Sequence, residues 1–282
     1  MSEPRLAVAQ VNGIAMAFRH WPGPARPLHP PVVLLHGVLQ TGEGLRHLAE
    51  WLALNGEVLA PDLRGRGQTE APESGYHPDA MADDVAALVE RTGVTRPVVI
   101  GRMHGGVIAY RLAARRPELV RGVVLAETNP EVGEERAARI CDAIRALPRS
   151  FASREEAMRF YEEALGLPEA RARHDVPIDL EEHADGTLRW RHDLDLVARI
   201  EGEAMPRTDW EILARITCPA LVLRGQRGEL RGEREHRFQE AMPQSQEITI
   251  YGAGREVFLG PGSEQALAAI QLFLLGLQER AA

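Results

Sequence analysis

The residues Gly101-Arg102-Met103-His104-Gly105-Gly106 follow the apolar run Val98-Val99-Ile100 and open a stretch with helical patterning. Strand, tight turn and helix form the layout of a nucleophile elbow, G-x-S-x-G, in which the turn lifts a serine hydroxyl above the end of a sheet. Met103 stands at the serine position. A thioether has no proton to lose and forms no acyl intermediate, so covalent catalysis is not expected there. Met103 is read as an apolar floor in the nucleophile's place.

Other groups near the turn could move protons or hold charge. His104 is a candidate base beside the elbow, with packing as the alternative if its side chain points away from Met103. Glu127 ends the next strand; a buried carboxylate there could have a raised pKa and act as a base, or could hydrogen-bond the Thr128-Asn129-Pro130 turn. Arg102 and Arg255 could grip a substrate carboxylate through two parallel bonds. Arg102 reads more often as a solvated turn residue, and the alternative for Arg255 is an ion pair with Glu229 or Glu127. The His192-Asp193-Asp195 cluster has no recognisable set of metal-ligand partners and reads as protein surface. No metal and no cofactor are expected.

The elements that must position these groups follow from the pattern of apolar residues. Leu6–Ala9 and Ile14–Phe18 flank Asn12-Gly13, a strong hairpin signal, and form an antiparallel edge. Val32–Leu35, Val58–Ala60, Val98–Ile100 and Val123–Ala126 are apolar on both faces, as central parallel strands require. Helical patterns separate them, for example Asp79–Arg91 with Met81, Val85, Leu88 and Val89 on one face. Strands alternating with helices predict a mostly parallel sheet with right-handed crossovers. From residue 131 to residue 215 the strand rhythm gives way to helical, charge-rich sequence, which predicts an inserted helical cap. The core is then 1–130 and 216–282, where strands at Ala220–Arg224 and Glu247–Tyr251 and helices at Glu233–Met242 and Glu264–Leu277 complete the sheet.

Composition narrows the function classes. The 282 residues include 33 basic ones, all arginine, and carry a formal net charge of −8. The absence of lysine fits codon bias in a high-GC genome and excludes a lysine base or Schiff base. An acidic balance argues against a nucleic-acid partner. No stretch approaches the roughly 18 apolar residues of a membrane span, and the N-terminus lacks a signal-peptide pattern, so a cytoplasmic protein without membrane contact is expected. Cys141 and Cys218 lack metal-ligand spacing and are expected to be buried thiols. The sequence leaves the oligomeric state open.

Five landmarks in order resemble the α/β-hydrolase superfamily over essentially the whole chain: His36-Gly37, Pro61-Asp62-Leu63-Arg64-Gly65-Arg66-Gly67, the elbow, Cys218-Pro219, and Gly252-Ala253-Gly254. The resemblance implies an α/β-hydrolase fold and a triad of nucleophile, acid and histidine. The positional equivalents here are Met103, Glu229 (or Gly228, depending on alignment) and Arg255. Arginine stays protonated, so the base is missing as well as the nucleophile. The resemblance also implies an oxyanion hole from the backbone N–H groups of Val38 and His104 and a supporting role for His36, with proton transfer as its alternative. Gln40 and Thr41 in the same loop are candidate pocket donors. Asp62, Arg64 and Arg66 are implied as structural.

With nucleophile and histidine missing, a helical cap and a high-GC composition, the chain resembles in type the bottromycin-pathway peptide epimerases. That resemblance implies a cofactor-free isomerase in natural-product (RiPP) biosynthesis, acting on a modified peptide or small molecule. The α-carbon of an aspartyl residue is inverted, and the substrate's own carboxylate helps to move the proton. A catalytically inactive ligand-binding protein and a lyase, cyclase or atypical hydrolase on the same scaffold are the alternatives.

Overall fold

The structure is a computed structural model that describes residues 3–205, 207–230 and 233–279. Strands β1 (Arg5–Val11) and β2 (Ile14–Trp21) form the expected hairpin, with Val11 opposite Ile14. Asn12 and Gly13 both have positive φ, 44° and 81°, the mirror-image turn whose twist matches that of the strands. The chain continues through β3 (Val32–Leu35), a 3-10 turn (Gly42–Leu45), α1 (Arg46–Ala53), β4 (Val58–Pro61), α2 (Pro78–Thr92), β5 (Val98–Arg102), α3 (His104–Arg115) and β6 (Gly122–Ala126). Proline at its first position and Gly93 in the left-handed region after its last mark the two ends of α2.

Between residues 131 and 213 the chain leaves the main sheet. This insertion comprises β7 (Glu131–Val132), α4 (Glu134–Arg145), β8 (Ser150–Phe151), α5 (Arg154–Glu163), α6 (Glu169–Asp179), β9 (Leu180–Glu182), β10 (Leu188–Trp190), α7 (Leu194–Ala204), β11 (Arg207–Thr208) and α8 (Trp210–Leu213). Strands β7 and β11 pair where it begins and ends, and β8-β10-β9 form a small sheet of their own. The chain then returns to the main sheet with β12 (Ala220–Gly225), α9 (Glu233–Ala241), β13 (Ser245–Ile250) and α10 (Ser263–Glu279).

The main sheet has the order β1-β2-β4-β3-β5-β6-β12-β13. Only the pairings of β1 with β2 and of β2 with β4 are antiparallel; the rest are parallel, as the fully apolar runs require. Successive residues of each central strand serve opposite cores. Val33, Leu35, Val99, Val123 and Val222 pack with α2 and α3, whereas Val32, Leu34, Ile100, Val124 and Leu223 pack with α1 and α10. The insertion has its own cluster around Phe151, Tyr161 and Val176. A second cluster, Cys141, Ile144, Leu194 and Val197, rests on Val38 and Leu39 of the loop after β3. The insertion therefore packs directly on one of the expected oxyanion loops.

Candidate active site

Strand β5 ends at Arg102, and Met103 turns the chain into α3 at φ 50°, ψ −113°. A side chain in that region strains the backbone by about 1–3 kcal/mol. The turn is held from both sides: Met103 N–H donates to Ala126 O at 3.0 Å, and Met103 O accepts from the N–H groups of Gly106 and Val107 at 3.1 and 3.2 Å. A Cβ on Gly101 would lie 2.3 Å from Gly105 O, and one on Gly105 would lie 2.2 Å from Leu35 O. Strand and helix are thus as close as two backbones allow. His104 begins α3, so its N–H has no acceptor one turn earlier in its own helix and sits at the positive end of the helix dipole.

The His104 side chain turns away from that N–H. Its Nδ1 lies 3.1 Å from Glu201 Oε2 and its Nε2 lies 3.2 Å from Met81 Sδ, so the ring is clamped between α7 and α2. Glu201 also meets Arg66 Nη2 at 3.2 Å. Burial disfavours the charge on Glu201, but His104 and then Arg66 hold its carboxyl below the usual range.

His36 is fully engaged. Its Nε2 accepts the Leu63 N–H at 3.0 Å and its Nδ1 donates to Gly37 O at 3.0 Å. Burial pushes its pKa down to about 3, and the charges of Arg66, His104 and His192 act in the same direction. No lone pair is left for a substrate proton, so the acid-base role considered for His36 has no geometric support.

The structure corrects the solvated alternative for Arg102, which is buried. Its Nη1 donates to Gln40 Oε1 at 3.0 Å, and the same oxygen accepts the Gly37 N–H at 3.2 Å. Its Nη2 donates to Arg255 O at 3.3 Å and lies 3.3 Å from Glu256 Oε2. Gln40 therefore turns inward to brace its own loop. Thr41, also buried, precedes the 3-10 turn.

Arg255 faces outward, with 63% of its side chain exposed, and its Nε lies 3.2 Å from Glu229 Oε1. Of the two ion pairs considered, the one with Glu229 forms. Arg136 from α4 pairs with the other oxygen of Glu229. Glu127 lies below them at φ 48°. Its Oε1 accepts the Gly225 N–H at 2.7 Å and its Oε2 accepts the Glu229 N–H at 2.9 Å, so it caps the loop after β12 rather than its own turn. A Cβ on Gly228 would fall 2.2 Å from Glu127 Oε1; that position is glycine because the carboxylate fills the space. Burial raises the Glu127 pKa, and the two backbone donors oppose that rise.

The sequence patterns missed a buried ionic cluster where the insertion meets the core. Glu256 Oε1 accepts the N–H groups of Phe258 and Leu259, while its Oε2 faces Arg102 Nη2 and, at 2.9 Å, Arg171 Nη1 of α6. Arg171 Nε donates to Asp175 Oδ2 at 2.5 Å, and Asp175 Oδ1 lies 3.0 Å from His174 Nδ1. The one available signal was an acidic residue, Glu256, set before the apolar run Val257-Phe258-Leu259. The charges of α6 belong to the charge-rich helical stretch, in which nothing marks the buried ones. His192, expected at the surface, is buried with Nε2 3.7 Å from Asp179 Oδ1, whereas Asp193 caps α7 and Asp195 meets Arg149 outside. Asp62 accepts from Gly42 N–H, Gln68 N–H and Arg19, and Arg64 forks onto Asp84, so this loop holds its own shape. Among the described residues no group of three or more His, Cys, Asp or Glu side chains could hold a metal ion, and no helix is long and apolar enough to cross a membrane.

A family profile described as the alpha/beta hydrolase fold matches residues 30–145. Among curated proteins, the chain is similar to a soluble epoxide hydrolase of Corynebacterium sp. (strain C12), at 38% identity over 100 residues, which is 36% of this chain and 35% of that protein. The matched segments span 35% to 62% of the length of the curated relatives matched first. Among solved structures, an E-2-(acetamidomethylene)succinate hydrolase superposes with a TM-score of 0.85 at 21% identity, covering 96% of this chain and 98% of that one. An alpha/beta hydrolase from Novosphingobium aromaticivorans DSM 12444 gives a TM-score of 0.82 at 25% identity over 98% and 99% of the two chains.

Proposed function

From the premise that this chain has the α/β-hydrolase fold, we propose that it is a non-hydrolytic enzyme that holds and polarises a carbonyl at the elbow, so that the adjacent Cα–H exchanges. The observation that carries this reading is the strained backbone of Met103, kept at φ 50° although its side chain offers no nucleophile. Strain of this kind persists where the surroundings over-determine it, and what it still aims here is the His104 N–H. Together with the Val38 N–H, that donor would hold an enolate oxygen; removing one such donor costs other enzymes about 3 to 4 kcal/mol of transition-state stabilisation.

The base comes from the substrate. His36 has its acceptor nitrogen occupied, Glu127 is held by the Gly225 and Glu229 N–H groups in the loop after β12, and the His104 ring is clamped away from the turn. Arg255 carries no lone pair for a proton. An aspartyl side chain can take its own Cα proton, and return of a proton to the opposite face inverts the centre with no net change in composition. The reaction class is therefore peptide aspartyl epimerisation, with the insertion acting as a cap that excludes water. Incubation of an aspartyl peptide bearing a C-terminal thiazoline in deuterated water tests it: deuterium at Cα is expected, and its absence would overturn the reading.

A second reading, hydrolysis, is favoured by the printed names of the similar proteins. It requires a water activated without a serine or a triad histidine, and turnover of a panel of activated esters would support it. If ligand binding occurs with neither exchange nor hydrolysis, the protein is a binder.

A further inference from the structure

The cluster around Glu256 contains more buried donors than acceptors. Arg171 is 1% exposed, yet its Nη1 and Nη2 have no hydrogen-bond partner; Nη1 only faces Glu256 Oε2 without bonding geometry. Arg102 Nε, a few ångströms along the same chain of contacts, is also unpartnered, as are both ring nitrogens of His47. His47 packs edge-on against His174, with ring centroids 4.9 Å apart. Among the described residues of this cluster, the acceptors without a hydrogen-bond partner are Glu256 Oε2 and one nitrogen of a neutral His47. A buried polar group without a partner costs about 1–3 kcal/mol, more when charged, and guanidinium nitrogens are shaped to bind two oxygens at once.

We propose that Arg171, His47 and Arg102 form a subsite for a ligand carboxylate, lying between α6 of the insertion and the end of β5. This deepens the epimerase reading, on which its assignment to the aspartyl side chain rests. Arg102 is the last residue of β5, the strand that leads into the elbow.

Charge adds a second signature. Two guanidinium groups already face the carboxylates of Glu256 and Asp175, so a ligand carboxylate brings one negative charge in excess. His47, faced by Arg171, His174, Glu256 and Asp175, has its pKa lowered to about 4, first by burial and then by Arg171. A carboxylate alongside raises that pKa, and binding then takes up a proton. Affinity should increase as pH falls from 8 to 5.5.

The probes are N-acetyl-aspartate methylamide and its asparagine counterpart, titrated calorimetrically into the full chain. The aspartate probe should bind at least tenfold more tightly, more so at pH 5.5. Arg171→Gln should abolish the preference. His47→Leu breaks no hydrogen bond, so it keeps the proposal testable if Arg171→Gln fails to fold; it should remove the pH dependence. Equal binding of the two probes, or a preference that survives both substitutions but is lost in Arg255→Gln, would overturn the subsite. Deuterium exchange unaffected by Arg171→Gln would sink the subsite and leave the epimerase reading standing. Selective binding without exchange would do the reverse.

Discussion

At the scale of single residues, the arrangement around Met103 predicts what substitution cannot repair. Met103→Ser should give no esterase activity above background against p-nitrophenyl acetate. The introduced hydroxyl would still lack a base, because the positional equivalent of the histidine, Arg255, cannot accept a proton and is paired outside with Glu229. A burst of p-nitrophenolate would show that a base had been overlooked. His36 makes a prediction about stability. Between pH 6.5 and about 3 the unfolded His36 binds a proton that the folded one does not, so its contribution is complete above pH 6.5 and is lost as pH falls through that window. His47, lowered to about 4, acts in the same sense. His36 alone should account for about 3 kcal/mol of lost unfolding free energy between pH 7 and pH 4. In urea titrations at the two pH values, His36→Gln should show a clearly shallower loss, and an unchanged slope would contradict the assignment.

At the scale of elements, the elbow depends on close approach of strand and helix. Gly105→Ala places a methyl group 2.2 Å from Leu35 O, a contact with backbone rather than with a movable side chain. We expect a loss of more than about 2 kcal/mol in denaturant unfolding, in line with overpacked cores. A near-neutral effect would mean that the helix can slide, and the aim of the His104 N–H would then not be fixed. These elements were legible in the sequence because their periodicity is local: the apolar runs marked the central strands, and Asn12-Gly13 marked the hairpin. The partners of the charged residues were not legible. Arg102 and His192 read as surface because each is polar in a mixed stretch, whereas the fold sets Arg102 against Gln40 and Glu256, and His192 near Asp179; nothing in the charge-rich stretch marked Arg171 as the partner of Glu256. Glu127 was noticed, but its partners, Gly225 and Glu229, lie 98 and 102 residues away, beyond any local pattern.

At the scale of the whole molecule, a mostly parallel sheet carries a strained turn, and an insertion rests on the loop after β3 and meets the core again through the ionic cluster of Arg171, Glu256 and Arg102. The fold was readable from five landmarks in order, whereas the chemistry was not, because the landmarks belong to a scaffold that hosts many reactions. The two halves of the site are joined through Arg171, Glu256, Arg102 and Gln40. Arg102→Leu should therefore leave Glu256 without one of its two guanidinium partners and destabilise the protein by about 3–5 kcal/mol, the cost of breaking a buried ion pair from one side. A melting temperature within a degree of the parent would show that the cluster is not a structural bridge. The central claim is that the elbow acts through its backbone on an acidic Cα–H. The most direct test is mass spectrometry of an intact thiazoline-bearing aspartyl peptide after incubation with the protein in deuterated water. The account predicts one deuterium at the aspartyl Cα, both epimers present and no chain cleavage. A cleaved peptide, or an intact one without deuterium, would contradict it.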